Sequence, residues 1–238
     1  MNRPRKARAP RHTLDRASIA SAALELMDAA GVAALTIRSL AARLGVAPMA
    51  LYNHVSTKEE ILEAAREHGL AALPAADPGT GTGAWWERIR RINLALHAAL
   101  RAHPSLVPLL VARPLAGEVS VEAAEAQLRV LVEAGFTPGD AARAHLTLLH
   151  YAIGQAAWSS PRIEEPAVGR AALAGLPADR YPTLAAVAGP LAAATYDDAQ
   201  YAYGLDLILA GLRAAHSTDG VPERARETRW TSSHSAAG

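Results

Sequence analysis

The stretch from residue 35 to residue 58 constrains the fold more than any other part of the chain. Its first half repeats apolar residues at the spacing of one helical face: Ile37, Leu40, Ala41 and Leu44. Thr36 precedes this stripe and Gly45 follows it, which predicts a helix that begins after a threonine N-cap and ends in the left-handed region. Pro48 suits the first turn of a second helix, because its missing N–H needs no partner there. The stretch therefore predicts a helix-turn-helix.

The second of these helices is short, and its apolar residues leave one face free. Leu51 and Val55 lie four residues apart and turn inward, so the outward residues are Pro48, Met49, Ala50, Asn53 and His54. A helical hairpin in another kind of bundle would also contain two such helices. It would leave unexplained why the second helix is so short and why its outer face carries so little charge.

Charge is distributed unevenly along a chain whose net charge is only +1. Residues 1–58 carry nine Lys or Arg against three acids, whereas residues 59–238 carry fifteen against twenty. A basic N-terminal module on an acidic body is typical of a nucleic-acid-binding protein, since phosphate contacts supply most of the non-specific affinity. The alternative interpretation is a solvated basic tail without a partner.

The residues around the helix-turn-helix extend the pattern to about residues 15–65. Segment 22–62 resembles the DNA-binding domain of the TetR family of transcriptional regulators in the type and spacing of its small and apolar positions. The matching positions include Gly31, Leu35-Thr36, Leu44-Gly45-Val46, Leu51-Tyr52 and Lys58. The resemblance implies a three-helix domain that binds double-stranded DNA at a palindromic operator, and a homodimer that presents two such domains.

The resemblance also assigns DNA contacts residue by residue. The positions that touch DNA in the family correspond here to Thr36, Arg38, Pro48, Met49, Ala50, Tyr52, Asn53, His54 and Lys58. Arg38 can bind guanine O6 and N7, and Met49 or Ala50 can contact a thymine methyl group. Phosphate contacts are the better interpretation for Thr36, Tyr52, His54 and Lys58, while Asn53 could do either. Two alternatives stay open: a half-buried core aromatic for Tyr52 and a solvated charge for Arg38.

Before the helix-turn-helix, Asp15 and Gly31 predict the two ends of a first helix, with Ala30 among its inward residues. Thr57 to Glu60 forms a T-x-x-E capping box, which predicts a fourth helix that runs to about Leu73.

Beyond it the sequence predicts helices separated by Pro- and Gly-rich segments, of which 74–84 and 159–195 are the longest. We expect Pro108 to interrupt a short helix at 104–112, Ser120 to cap the next helix, and Tyr201 to lie on the apolar face of the last one. Segment 159–195 is expected to contain one short helix at most.

We see no convincing strand and no repeat, so the predicted class is all-α. We expect a disordered basic arm at 1–13, a helix-turn-helix DNA-binding domain at 14–57, a helical bundle for effector binding and dimerisation at 58–216, and a disordered tail at 217–238.

The C-terminal bundle is similar to the regulatory domain of the tetracycline-repressor branch of the family, in pieces such as Arg113-Pro114, Gln127-Leu128 and Gly135-Phe136. The resemblance implies a small-molecule effector and a dimer formed by the helix at 138–158 and the last helix. Candidate effector residues are Asn93, His97, Leu110, Gln127, His145, His150 and Trp158. For each of them a structural role in the bundle or at the dimer seam is the stronger alternative.

That branch holds a magnesium chelate partly through a histidine on its fourth helix. The corresponding residues here, 69–73, contain no histidine, so tetracycline and magnesium are not expected and no metal or cofactor is assigned. The predicted mechanism is a two-state dimer in which an effector shifts the fourth helix and releases the operator. A DNA-binding regulator without an effector is the alternative.

The chain lacks the sequence motifs that are typical of several classes of enzyme. There is no cysteine and no G-x-S-x-G, P-loop or H-E-x-x-H motif, and His145 and His150 are five residues apart. No catalytic residue is therefore assigned, and an enzyme on a helical bundle is an unfavoured alternative. Without an apolar run of 18 residues or a signal peptide, we expect a cytoplasmic protein that does not bind a membrane.

Overall fold

The computed structural model describes residues 14–71, 73, 83–158, 171–172, 175–195 and 197–217. Within these residues the regular elements are ten α-helices and a short 3-10 turn at Val32–Ala34, which confirms the all-α prediction. The helices are α1 (Arg16–Ala30), α2 (Ile37–Leu44), α3 (Pro48–Tyr52), α4 (Lys58–Leu70), α5 (Trp85–Ala102), α6 (Leu106–Ala112), α7 (Glu118–Glu133), α8 (Pro138–Trp158), α9 (Pro182–Thr195) and α10 (Asp198–Ser217). The predicted arm at 1–13 and residues 218–238 of the predicted tail lie outside the described residues.

The chain forms two compact units, and the predicted division into domains at 14–57 and 58–216 stays a prediction. The first contains the described residues of Met1–Ala72 together with Ala99–Glu122, and the second contains those of Leu73–Ala98 and Ala123–Gly238. The boundary expected between residues 57 and 58 falls inside the first unit, because α4 packs along α1. The segment 99–122 is distant in sequence, and a sequence pattern gives no sign that it joins α1–α4.

Two polar contacts tie the end of α4 to the residue that follows α6 and to the first turn of α7. Glu67 accepts a hydrogen bond from the backbone N–H of Val119 at 3.0 Å, and Arg66 donates to the carbonyl of Arg113 at 3.2 Å. Arg66 is only 3% exposed, and its Nε and Nη2 have no hydrogen-bond partner among the described residues. Segment 99–122 is therefore held in the first unit by α4 as well as by the contacts that α1 makes.

Local signals set the ends of α1. The Asp15 carboxylate accepts from the N–H of Ser18 at 2.8 Å, and the Ser18 hydroxyl accepts from the N–H of Asp15 at 3.0 Å. Hydrogen bonding by Ser18, first from its backbone N–H and then from its side chain, holds the pKa of Asp15 below its ordinary value. Gly31, at φ 89°, ends the helix, so both predicted ends are confirmed. Ala30, predicted to face the core, is exposed because it lies at the last helical position.

Several predicted helix ends are wrong, each for an identifiable reason. Pro108 does not interrupt α6, because it is the third residue of the helix and its missing N–H would have no partner within the helix. Ser120 is not the N-cap of α7, which begins at Glu118, and its side chain is buried in the first turn. α4 ends at Leu70 and not at residue 73. The broken segment contains the 14-residue helix α9, begun by Pro182, where only a short helix was expected.

An aromatic stack joins α5, α8 and α10 in the second unit. The rings of His97 and Tyr201 lie parallel with centroids 3.9 Å apart, and those of Tyr151 and Tyr201 lie 5.1 Å apart. The Tyr201 hydroxyl donates to the carbonyl of Asn93 at 3.1 Å, and that of Tyr151 reaches the carbonyls of Gln200 and Tyr201 at 3.2 Å each. Burial raises the pKa of both tyrosines, so both hydroxyls are protonated donors at neutral pH.

Gly204 allows the Tyr151 hydroxyl to approach α10 this closely. A Cβ atom at position 204 would lie 2.1 Å from the hydroxyl oxygen of Tyr151 and 2.7 Å from the ring carbon that carries it. The aromatic stack therefore depends on the absence of one methyl group.

We expect Gly204→Ala to lower the free energy of unfolding by about 1–3 kcal/mol, because the added methyl group displaces Tyr151 from its two carbonyl partners. The better helix propensity of alanine offsets this by at most about 1 kcal/mol. The measurement is denaturant unfolding at a fixed protein concentration. Gly211→Ala is the matched control, since a Cβ at position 211 of the same helix meets nothing within 4 Å. Equal stability of the two variants would contradict the assigned role of Gly204.

Candidate nucleic-acid interface

The helix-turn-helix is built from α2, a left-handed turn and α3. Thr36 caps α2, since its hydroxyl accepts from the N–H of Ser39 at 3.0 Å and the Ser39 hydroxyl accepts from the N–H of Thr36 at 2.9 Å. Gly45 follows in the left-handed region at φ 67°. Pro48 is the first residue of α3, a helix of only five residues. The predicted helix-turn-helix is thus confirmed in each of its local signals.

α3 is anchored on one side and exposed on the other. Leu51 is fully buried and Val55, just beyond the helix, is nearly so. Met49 is 74% exposed and Tyr52 is 52% exposed, so the alternative of a half-buried core aromatic for Tyr52 is not supported. The other predicted contact residues of this region, Pro48, Asn53 and His54, are also exposed, and Ala50 is half-buried. The anchored side holds the backbone while the outer side chains are accessible to a ligand.

Arg38 and Arg43 lie on the same helix but differ in their partners. Arg43 forms an ion pair with Glu25 of α1. Arg38 is exposed and forms no ion pair or side-chain hydrogen bond within the part of the chain that the structure describes. Of the two guanidinium groups, Arg38 is therefore the one available to an external acceptor.

Lys58 is the first residue of α4 and is exposed. The Thr57 hydroxyl accepts from the N–H of Glu60 at 3.1 Å, as predicted. The Glu60 carboxylate accepts from the N–H of Ser56 at 2.6 Å and not from that of Thr57, so the predicted capping box is only half formed. An exposed ammonium group at a helix N-terminus is suited to a phosphate contact. The nine predicted DNA contacts stay predictions, and Thr36 is, like Arg38 and Lys58, exposed.

The seven predicted effector residues fall into separate groups. Leu110 lies on α6 in the first unit, and the other six lie in the second. Asn93 and His97 are buried on one face of α5, and Gln127 is buried on α7. His150 is exposed on α8, as is Trp158 at the end of the same helix. Three of the six residues in the second unit are thus buried and two are exposed, and the whole set stays a prediction.

Two of the buried amides are only half satisfied. The Asn93 Nδ2 donates to the carbonyl of Ile89 at 2.9 Å, and the Gln127 Oε1 lies 3.2 Å from His145 Nδ1. The Asn93 Oδ1 and the Gln127 Nε2 have no hydrogen-bond partner among the described residues. Burial lowers the pKa of His145, and His150 acts in the same direction, so His145 is neutral at pH 7. Its Nδ1–H then donates to Gln127, which leaves the Gln127 amide nitrogen as an unused donor.

Sequence reasoning missed two residues of this region, Tyr151 and Tyr201, which stack in line with His97. Tyr201 was predicted only as part of an apolar helix face. No local signal could have paired it with His97, because the contact joins residues more than a hundred positions apart.

No group of three or more His, Asp or Glu side chains in residues 14–71, 83–158 and the described parts of 171–217 could hold a metal ion. No single described helix is long and apolar enough to cross a membrane. α5 and α6 would meet the length and composition only as a pair, and they are bent by 118° at the break between them.

Comparisons with known proteins cover both parts of the chain. Residues 19–65 match the model described as bacterial regulatory proteins, tetR family, and residues 77–216 match the model described as tetracyclin repressor-like, C-terminal domain. An HTH-type transcriptional regulator of Saccharopolyspora erythraea is 33% identical over 216 residues, which cover 89% of this chain and 90% of that protein.

Solved structures are similar as well. The crystal structure of a possible TetR family transcriptional regulator from Streptomyces coelicolor A3(2) matches with a TM-score of 0.73 and 34% identity, covering 84% of this chain and 100% of the other. That of the Streptomyces coelicolor TetR family protein ActR in complex with actinorhodin matches with a TM-score of 0.70 and 27% identity, covering 86% and 97%. With an exposed α3 on a buried base and family matches over both parts, the chain belongs to the TetR family of transcriptional regulators.

Proposed function

We propose that this protein is a repressor that binds a palindromic operator as a homodimer and is released by a small-molecule effector. The observation that carries the proposal is the exposed outer face of α3, whose inner face is held in the core by Leu51 and Val55. Arg38 of α2 is exposed as well and forms no ion pair with any described residue. Direct readout in a major groove requires such side chains on a rigid base. Membership of the family supports the same conclusion.

Exposed apolar side chains on α8 and α10 support the homodimer. Leu146 and Trp158 on α8, and Tyr203 and Leu207 on α10, are between 48% and 64% exposed. Large apolar side chains on two long helices that contact each other favour an interface with a second copy. Two-fold symmetry would place two α3 helices on half-sites about 34–36 Å apart, one turn of the duplex.

The half-satisfied amides support a small-molecule effector. The Asn93 Oδ1 requires a donor and the Gln127 Nε2 requires an acceptor, and a buried amide without a partner is costly. An effector with an apolar body, a hydroxyl or amine donor and a carbonyl acceptor would satisfy both atoms. The solved complex of ActR with actinorhodin shows a relative with a bound small molecule and supports an effector here. Leu110, His150 and Trp158 have weaker support, since two of them are exposed and one lies in the other unit.

This function needs no catalytic residue, because repression and release are binding equilibria. It places the protein in the bacterial cytoplasm, where operator DNA is accessible. The effector acts only through its different affinities for the operator-bound and free states.

The first experiment is selection of binding sites from random duplex DNA by the full-length protein at near-physiological salt. We expect an enriched palindrome with one fixed spacing between its half-sites. A variant with Arg38→Ala and Asn53→Ala, which lacks two predicted contacts, is the control and should not enrich it. Binding of the wild-type protein without any enriched sequence would leave only phosphate attraction and would overturn the proposal.

Arg38→Ala should weaken operator binding by about 1–3 kcal/mol per half-site and relax the preference at one base pair. Lys58→Ala should instead weaken binding to all sequences about equally and lower the salt slope by roughly one per half-site, since it removes one phosphate contact from each protomer. Both are measured by titration of labelled operator at several salt concentrations. An unchanged base preference in the Arg38 variant would refute its assignment as a base-reading residue.

Asn93→Leu should reduce effector-driven release while the fold is kept or slightly stabilised. The leucine removes a buried oxygen without a partner, and the carbonyl of Ile89 that Asn93 contacts lies inside α5. We expect about a 5- to 150-fold loss of effector affinity, the effect of about 1–3 kcal/mol for one buried hydrogen bond. The measurement is operator release by a compound found in a screen with the selected operator. Release by the same concentration in both proteins would show that Asn93 does not contact the effector.

A further inference from the structure

One acid of α1 is bound by three polar groups from the turn between α5 and α6. The Oδ1 of Asp28 accepts hydrogen bonds from the backbone N–H of Ser105 at 3.0 Å and from its hydroxyl at 2.6 Å, and Oδ2 lies 2.8 Å from Nδ1 of His103. The three residues belong to the first unit although 75 and 77 positions separate Asp28 from its partners. Ser105 is buried, and the side chains of Asp28 and His103 are partly buried. Both carboxylate oxygens are therefore occupied by this turn.

Apolar packing holds the same turn against α1 and α4. Leu106, which follows Ser105, is fully buried. A Cβ atom at Gly69 of α4 would lie 3.0 Å from one methyl group of Leu106 and 3.1 Å from a methyl group of Leu24 on α1. Leu106 thus fits closely beside both helices, and a shift of the turn displaces the side chains of α1.

One turn before Asp28, α1 also holds the helix-turn-helix. Glu25 lies three residues earlier and so on the same side of the helix, and it forms an ion pair with Arg43 in the last turn of α2. The hydrogen bond from Arg43 holds the pKa of Glu25 below its ordinary value, so the carboxylate is charged at neutral pH. Arg43 comes two residues before Gly45, the turn that sets the direction of α3. α1 therefore carries a contact to the α5–α6 turn and a contact to α2 on one face.

We propose that Asp28 is a positioning residue for operator binding, which fixes the helix-turn-helix relative to the α5–α6 turn through α1 and the Glu25–Arg43 pair. The inference rests on the proposed function and adds a path through α1 to the expected lever, α4. Movement of residues 103–106 is transmitted to α1 by the three polar contacts of Asp28 and by Leu106. α1 then carries α2, and with it the five-residue α3, which has little stability apart from this support.

The strength of the contact follows from its geometry. Charge-assisted hydrogen bonds to both oxygens of a partly buried carboxylate are stronger than an exposed ion pair. Asp28→Ala would leave the N–H and hydroxyl of buried Ser105 without their acceptor and could unfold the unit. Asp28→Asn is the better variant, because the amide oxygen still accepts from Ser105 and only the charge and the contact to His103 change. His103→Gln alters the same contact from the other side.

The test repeats the selection from random duplex DNA with Asp28→Asn and with His103→Gln. The library now also varies the length of the linker between the two half-sites. A positioning role predicts that both variants accept a wider range of spacings while the preferred bases within each half-site are unchanged. Operator affinity at the wild-type spacing should fall by about 2- to 30-fold. Denaturant unfolding confirms that each variant is folded under the assay conditions.

A second measurement tests whether Asp28 and Glu25 of α1 affect operator binding through the same path. If Glu25 transmits the effect, Glu25→Gln and Asp28→Asn combined should lose no more operator affinity than the larger single loss. Glu122→Gln, which removes an exposed acid of the first unit, is the matched control and should retain both the spacing preference and the affinity of the wild-type protein.

The outcomes separate this inference from the proposed function. Failure of the wild-type protein to enrich any palindrome overturns the proposed function itself. An enriched palindrome whose spacing preference and affinity are the same in Asp28→Asn and His103→Gln overturns only the role of Asp28. A changed base preference within the half-sites would also overturn it, because it would show a direct contact with DNA and not a positioning effect.

Discussion

A helix of five residues cannot form on its own in water, because fixing the first turn costs more free energy than its few hydrogen bonds return. α3 is such a helix, and it exists because Leu51 and Val55 are buried beneath it. Gly45 and Pro48 set its direction and its first turn. The DNA-reading surface therefore has no stability of its own, and its position is set by the helices that form its base.

This dependence explains why the polar contacts of the first unit matter for function. α1 holds α2 through the Glu25–Arg43 pair. The loop before α6 is tied to α1 by Asp28, and the first turn of α7 is tied to α4 by Glu67. None of these side chains needs to touch DNA to affect how DNA is bound. A regulator that must switch between two geometries requires contacts of this kind, which are specific but cost little to rearrange compared with an apolar core.

In the described part of the second unit, some polar side chains form all the hydrogen bonds they need and others do not. The hydroxyls of Tyr151 and Tyr201 donate to main-chain carbonyls and hold three helices together. The amides of Asn93 and Gln127 are as deeply buried but use only one end each among the described residues. A fully bonded group contributes to the fold, whereas a half-bonded one has capacity for a ligand, and the two types lie within the same helical unit.

The parts of the molecule that the sequence could predict are those whose causes lie within a few residues. Thr36 and Ser39 cap α2 across three positions, and Gly45 and Pro48 act on the backbone at their own positions. The same local rules predicted wrongly at Ser120, because a serine near a helix start can equally lie inside the first turn. Pro108 was misread as a helix breaker although the third position of a helix tolerates it.

No local sequence feature distinguishes the partners of Arg38 from those of Arg43, because the two arginines have the same chemistry and lie on one helix. The difference is that Glu25, eighteen positions before Arg43, reaches the second and not the first. The resemblance to known regulators assigns a DNA contact to Arg38, and that assignment stays a prediction. The joining of segment 99–122 to the first unit, and the stacking of His97 on Tyr201, depend on contacts across much longer stretches of chain and left no periodic signal.

The discontinuous make-up of the first unit has a consequence for synthesis of the chain. The helices that read DNA are translated early, but Ser105 and Leu106, which complete their core, follow 33 and 34 residues after the first segment ends at Ala72. At a ribosomal speed of about 5–20 residues per second, this delay lasts on the order of several seconds. During that time the α5–α6 turn that binds Asp28, and Leu106 beside Leu24, are not yet synthesised. The order of translation thus keeps the nascent DNA-binding part incomplete until the segment that will control it has emerged.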